Sequence, residues 1–195
     1  MCKYPEVADL TLKIIERLNK DNIRCTVLTK GIYPKVLVNT KKYGENNEYG
    51  ITLVSLGEGF KKEFEPYSAP YKDRIKALKY LQGKGLKTWI SMEPYPTPNL
   101  VKQDLRKILK VVSFVDKIIF GKLNYNVESN QSGYNGDFYQ GCADIVIEFC
   151  KKNDIEYHIK YGTQKKDDRK TEKIFVKNIP ENLNLKYTKQ STLSL

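Results

Sequence analysis

The stretch Gly50–Pro94, GITLVSLGEGFKKEFEPYSAPYKDRIKALKYLQGKGLKTWISMEP, decides the fold. Ile51–Ser55 is a short apolar run behind a glycine. Tyr71, Ile75, Leu78 and Leu81 recur at helical spacing, and Gly83 and Gly85 close that helix. Thr88–Met92 is a second apolar run, which Pro94 is expected to stop. Two strands joined by a helical crossover form a βαβ unit, so they should run parallel. Chemistry in parallel α/β folds gathers beyond the carboxyl ends of the strands. Those ends carry Ser55 and Glu93 here.

The same alternation extends outward in both directions. Toward the amino terminus, Pro5 opens a helix to about Lys20, with Val7, Thr11, Ile14, Ile15 and Leu18 on one face. Arg24–Thr29 reads as a strand that delivers Lys30 and Gly31 to its carboxyl end. A short helix over Pro34–Lys41 and a polar loop over Tyr43–Tyr49 follow. Toward the carboxyl terminus, Asn99 is expected to cap a helix whose apolar face is Val101, Leu105, Ile108, Leu109 and Val112. Lys117–Phe120 is the next strand, delivering Gly121 to Asn124. Asp137–Lys151 is a helix and Glu156–Lys160 a last strand. The expectation is an α/β fold: a partial parallel (β/α) barrel of about five strands over residues 1–163. Residues 164–195 are expected to be a charged, flexible tail.

With 195 residues the chain can bury a sizeable core. No apolar run approaches the ~18 residues that crossing a membrane requires. The opening MCKYPEVADL has no export signature, so a cytoplasmic protein is expected. Cys2, Cys25, Cys142 and Cys150 are widely spaced and form no CxxC, which gives no metal signature and suits incidental thiols in a reducing compartment. The net charge of +11 invites a nucleic-acid partner. The excess is spread over many lysines, however. From Lys165 to Leu195 eight Lys/Arg face four Asp/Glu, so the tail alone carries four of the eleven charges. Arginine, the residue of bidentate base and phosphate contacts, is scarce.

Several stretches, taken in order, resemble the radical S-adenosylmethionine superfamily, in the branch close to spore photoproduct lyase. A strand ending in Thr-Lys is matched by VLTK (Val27–Lys30), and a strand ending in Ser by ITLVSL (Ile51–Leu56). Glu65-Pro66 is followed nine residues after the Glu by Arg74-Ile75 at the start of a helix. ISMEPYP (Ile90–Pro96) resembles the next strand with its proline loop. The resemblance covers roughly Pro5 to Tyr161. It implies an S-adenosylmethionine site in which Lys30 meets the cofactor carboxylate and Ser55 its ribose or carboxylate. Arg74 and Glu65 would brace the loop above. Glu93, Tyr95, Asn124 and Tyr125 would line the substrate side.

The departure from that family is as informative. Members hold a 4Fe–4S cluster with CxxxCxxC, used for reductive cleavage of S-adenosylmethionine, and this sequence has no such motif. The resemblance therefore implies the carboxyl-terminal part of such an enzyme, inactive in radical chemistry by itself. A separate cluster-bearing chain or a homo-oligomer would complete it. The competing expectation is a basic α/β pseudoenzyme or nucleic-acid-binding module. His158, the sole histidine, reads as a residue packed beside the last strand.

Overall fold

A computed structural model of the chain describes residues 5–123 and 136–165. Five strands form one sheet in the order β1-β2-β3-β4-β5, and every neighbouring pair is parallel. They are β1 (Thr26–Thr29), β2 (Glu48–Thr52), β3 (Lys87–Tyr95), β4 (Lys117–Lys122) and β5 (Glu156–Ile159). The helices are α1 (Pro5–Lys20), α2 (Thr40–Tyr43), α3 (Glu58–Phe64), α4 (Tyr71–Gln82), α5 (Leu105–Val111) and α6 (Gly136–Lys152), with one 3-10 turn at Lys35–Val38. Sequential parallel neighbours take right-handed crossovers, which put the connecting helices on one face: α4 packs on β2 and β3, and α6 on β4 and β5. That is barrel order, not a doubly wound sheet, and the architecture is a partial (β/α) barrel as expected. Among the described residues no helix is long and apolar enough to cross a membrane.

The strand register separates two faces, because residues in one row point the same way. Ile51, Ile90 and Ile118 share a row on the helix-bearing face, and Met92 and Phe120 share the row above; all are at most 1% exposed. Helix α4 covers them with Arg74, Leu78 and Leu81, one stripe at helical spacing. Helix α6 does the same with Tyr139, Cys142, Ala143, Val146 and Cys150. Helix α1 turns Leu12, Ile15 and Leu18 toward the same core.

The short helix expected over Pro34–Lys41 divides into the 3-10 turn and α2, β1 starts two residues later and β4 ends two residues later than expected. Three further differences have a physical reason. Strand β2 begins at Glu48, before Gly50, because that glycine lies inside the strand: a Cβ there would sit 2.2 Å from Trp89 Cε2. Strand β3 runs through Pro94 to Tyr95, with an irregularity in its pairing between Met92 and Tyr95. Proline is tolerated where the ladder is interrupted. Helix α5 is capped by Asp104, whose side chain accepts from Arg106 N, and not by Asn99. Helix α3 was not anticipated; none of its residues is buried, so it leaves no apolar period in the sequence.

Candidate functional site

The carboxyl ends of β1 and β2 meet the loop before α4 in a chain of charges. Lys30 Nζ lies 2.8 Å from Glu65 Oε1, and Arg74 Nη2 lies 3.2 Å from Glu65 Oε2. Arg74 also donates through Nη1 to the carbonyl of Thr52 at 2.7 Å, which ties the first turn of α4 to the end of β2. The side chains of Arg74 and Glu65 are 2% and 7% exposed, whereas Lys30 is 46% exposed. One buried carboxylate thus joins a buried cation to one that faces solvent. The main chain fixes the same junction, with Ala69 N donating to Lys30 O at 2.9 Å. Arg74 Nε is buried with no hydrogen-bond partner.

Ser55, expected at the strand's end, lies three residues past Thr52, where β2 stops, because the strand is shorter at its carboxyl end than its apolar run. Its hydroxyl oxygen accepts from Gly57 N at 3.1 Å, as Thr29 Oγ1 accepts from Gly31 N at 2.9 Å. Both strands end in a hydroxyl-anchored turn, which fixes the oxygen and leaves its proton for a further acceptor. The structure therefore brings Lys30, Ser55, Glu65 and Arg74 to one rim.

The face without helices carries a second group. Thr52, Ser91, Ile119 and His158 share a row. Above it, Lys160 Nζ lies 3.3 Å from Glu93 Oε2, across Gly121. A Cβ on Gly121 would lie 2.9 Å from Glu93 Cδ, so glycine provides the place in which that carboxylate rests. Below, Trp89 lies over Gly50, and its Nε1 is buried without a hydrogen-bond partner. Lys117 bridges Glu48 at 3.7 Å and Glu156 at 3.2 Å at the amino end of this face.

Glu93 faces the open side, but Tyr95 does not share its surroundings. Its ring packs against Phe120 at 5.2 Å and Phe138 at 6.5 Å, and its carbonyl accepts from Tyr139 Oη. At 2% exposure it belongs to the core, and burial pushes its phenol pKa up. The pairing irregularity before Tyr95 separates it from Glu93. Asn124 and Tyr125 lie outside the described residues. Ser91 and Lys160 were missed in the sequence and Gly121 was read only as a strand-end residue; strand register alone could have joined them to Glu93.

Among the described residues the donor set does not fit an iron–sulfur cluster. Cys25, Cys142 and Cys150 are buried, and burial pushes their thiols up, to about 11 for Cys142 and Cys150. A cluster needs thiolates. Among the described residues no group of three His, Cys, Asp or Glu could hold a metal ion. The rim residues do fit S-adenosylmethionine, a zwitterion with a ribose, for which Lys30 offers a solvent-facing cation and Ser55 a fixed hydroxyl.

No family model matches the chain. The fold is similar to that of spore photoproduct lyase complexed with dinucleoside spore photoproduct, at TM-score 0.55 and 13% identity over 77% of this chain and 55% of that one. Streptococcus suis SuiB bound to S-adenosylmethionine is similar at TM-score 0.56 and 16% identity, over 76% of this chain and 36% of that one. The chain shares its fold with these two proteins over about three quarters of its length. In sequence, 109 residues are 24% identical to the uncharacterised protein ORF301 of Acidianus two-tailed virus, covering 55% of this chain and 36% of that protein. The chain thus spans about half the length of spore photoproduct lyase and about a third of the viral relative.

Proposed function

We propose that the carboxyl rim of this half barrel binds S-adenosylmethionine, and that the chain contributes the cofactor- and substrate-binding strand ends of a radical S-adenosylmethionine enzyme of the spore photoproduct lyase type. The observation that carries the reading is the Lys30–Glu65–Arg74 charge chain beside the Ser55 hydroxyl, at strand ends of a fold shared with S-adenosylmethionine-bound proteins. The Lys30 ammonium gives one of its three donors to Glu65 and offers the others to the cofactor carboxylate. Ser55 donates its remaining proton to the ribose or carboxylate. Arg74 acts through Glu65 and Thr52, fixing the loop without touching the ligand. On the substrate side Glu93, held by Lys160, presents a carboxylate over Gly121.

The cofactor supplies an activated adenosyl group, and these residues bind and orient it. Its reductive cleavage is assigned to no described residue of this chain, because their donor set does not suit the cluster.

Calorimetric titration of the purified chain with S-adenosylmethionine tests the reading. Lys30→Ala removes a hydrogen bond to a charged group and should weaken binding about 10- to 100-fold, and Ser55→Ala about 3- to 10-fold. Binding untouched by either change would sink the assignment. No binding, together with salt-sensitive binding to a DNA oligonucleotide, would favour instead the basic binding module that the net charge of +11 offers.

A further inference from the structure

Two deficits in this fold are opposite in kind. At one edge β1 pairs with β2 alone. There α1 turns a second apolar stripe outward: Val7, Leu10 and Ile14, spaced three and four apart, are 55%, 58% and 50% exposed. An apolar groove of about 200 Å³ runs between α1 and β1, lined by Val7, Thr11, Leu28 and Ile32 among others. A helix that precedes a strand in right-handed β/α order covers the gap between that strand and the one before it. The stripe on α1 therefore faces the place of a strand beyond β1.

At the other edge β5 pairs with β4 alone. Tyr157 shares a row with Ile118 and so lies on the helix-bearing face, yet it is 37% exposed while Ile118 is fully buried. Tyr161, just past the strand, is 61% exposed. Among the described residues one edge shows a helix with no strand beneath its outer stripe, and the other a strand with no helix over it. Both edges run in the same parallel sense, so each is the complement of the other.

We propose that two copies of this chain pair about an axis along the strands, β5 of each adding to β1 of the other. Val7, Leu10 and Ile14 of one copy then close over Tyr157 of its neighbour. The two β5–β1 contacts are related by that two-fold axis, so the interface is isologous and closed, which leaves no parallel edge open. Pairing β1 with β1 about a two-fold axis would set the strands antiparallel and leave Tyr157 uncovered. Each copy carries +11, so repulsion opposes the pairing and is screened by salt within about 8 Å at physiological ionic strength. The pair therefore tightens as salt rises, the reverse of binding to an acidic partner. None of this depends on the cofactor assignment.

Size-exclusion chromatography with light scattering on the full chain tests it. The expected mass moves from 22.6 kDa toward twice that value as concentration rises, and does so at lower concentration in high salt. Leu10→Glu with Ile14→Glu abolishes the shift, and so does Tyr157→Asp. These side chains are solvent-facing, so circular dichroism and melting should stay close to the parent. Mixing the two variants restores one intact contact and should recover a mixed pair. A mass of 22.6 kDa at every concentration overturns the proposal, as does an open ladder of masses or a dimer that survives both variants.

Discussion

Replacing Arg74 by methionine should be among the most damaging single changes at the rim. Its guanidinium is 2% exposed and meets Glu65, itself 7% exposed, and the Thr52 carbonyl. Methionine fills much of the same volume, so little of the effect is a cavity. Two losses remain: a buried carboxylate retains only Lys30, and a strand-end carbonyl loses its donor. Breaking a buried pair from one side costs about 3–5 kcal/mol. Summing a lost charged hydrogen bond and an unsatisfied carbonyl gives about 3–6 kcal/mol, in the same range. In urea, with a slope of about 2–3 kcal/mol/M, the midpoint should fall by about 1–2 M. Lys30→Ala should cost under about 1 kcal/mol, because that lysine is half exposed and solvent screens it. Adding Glu65→Leu to Arg74→Met should recover about 1–3 kcal/mol by removing the stranded charge. An Arg74→Met loss below about 1 kcal/mol, or equal to that of Lys30→Ala, would refute the division into a buried brace and a ligand-facing cation.

Gly50→Ala would place a Cβ 2.2 Å from Trp89 Cε2, and the ring must move. A loss of about 1–3 kcal/mol is expected, and because Trp89 is the chain's sole tryptophan, a red shift of its emission reads the displacement directly. Burial pushes the Cys142 and Cys150 thiols up to about 11 when folded, against 9.0 for a solvent-exposed thiol. The unfolded chain therefore loses those protons first. Stability is fully present below pH 9 and falls as pH rises toward 11, by on the order of 2 kcal/mol per thiol, measurable as urea midpoints at successive pH values. A flat midpoint through that range would show the thiols to be solvated.

The central βαβ unit was legible because its signals are local. Leu78 and Leu81 sit on one helical stripe, and Gly83 and Gly85 follow it. Strand limits were less so, because Gly50 and Pro94 read as boundaries from sequence but lie inside strands. What tolerates them, a tryptophan ring across the sheet and an interrupted ladder, comes from other parts of the chain. Lys30 could be named because it directly follows a strand and Ser55 because it closes an apolar run, whereas Glu65 and Arg74 were named only through the family resemblance. Lys160 could not be joined to Glu93, 67 positions away, since only the register of β3, β4 and β5 brings them within 3.3 Å. Tyr95 was placed with Glu93 by adjacency, and the irregular pairing between Met92 and Tyr95 undid that adjacency.

The most direct test is to follow the backbone amides of the chain by nuclear magnetic resonance during titration with S-adenosylmethionine. The account predicts shifts concentrated at Lys30, Gly31, Ser55, Gly57 and Ala69, whose amides sit in the turns and loop of the rim. Residues at the opposite end of the strands, such as Asn22, Glu45 and Asn46, should stay still. Shifts confined to that opposite end, or none at saturating ligand, would contradict it.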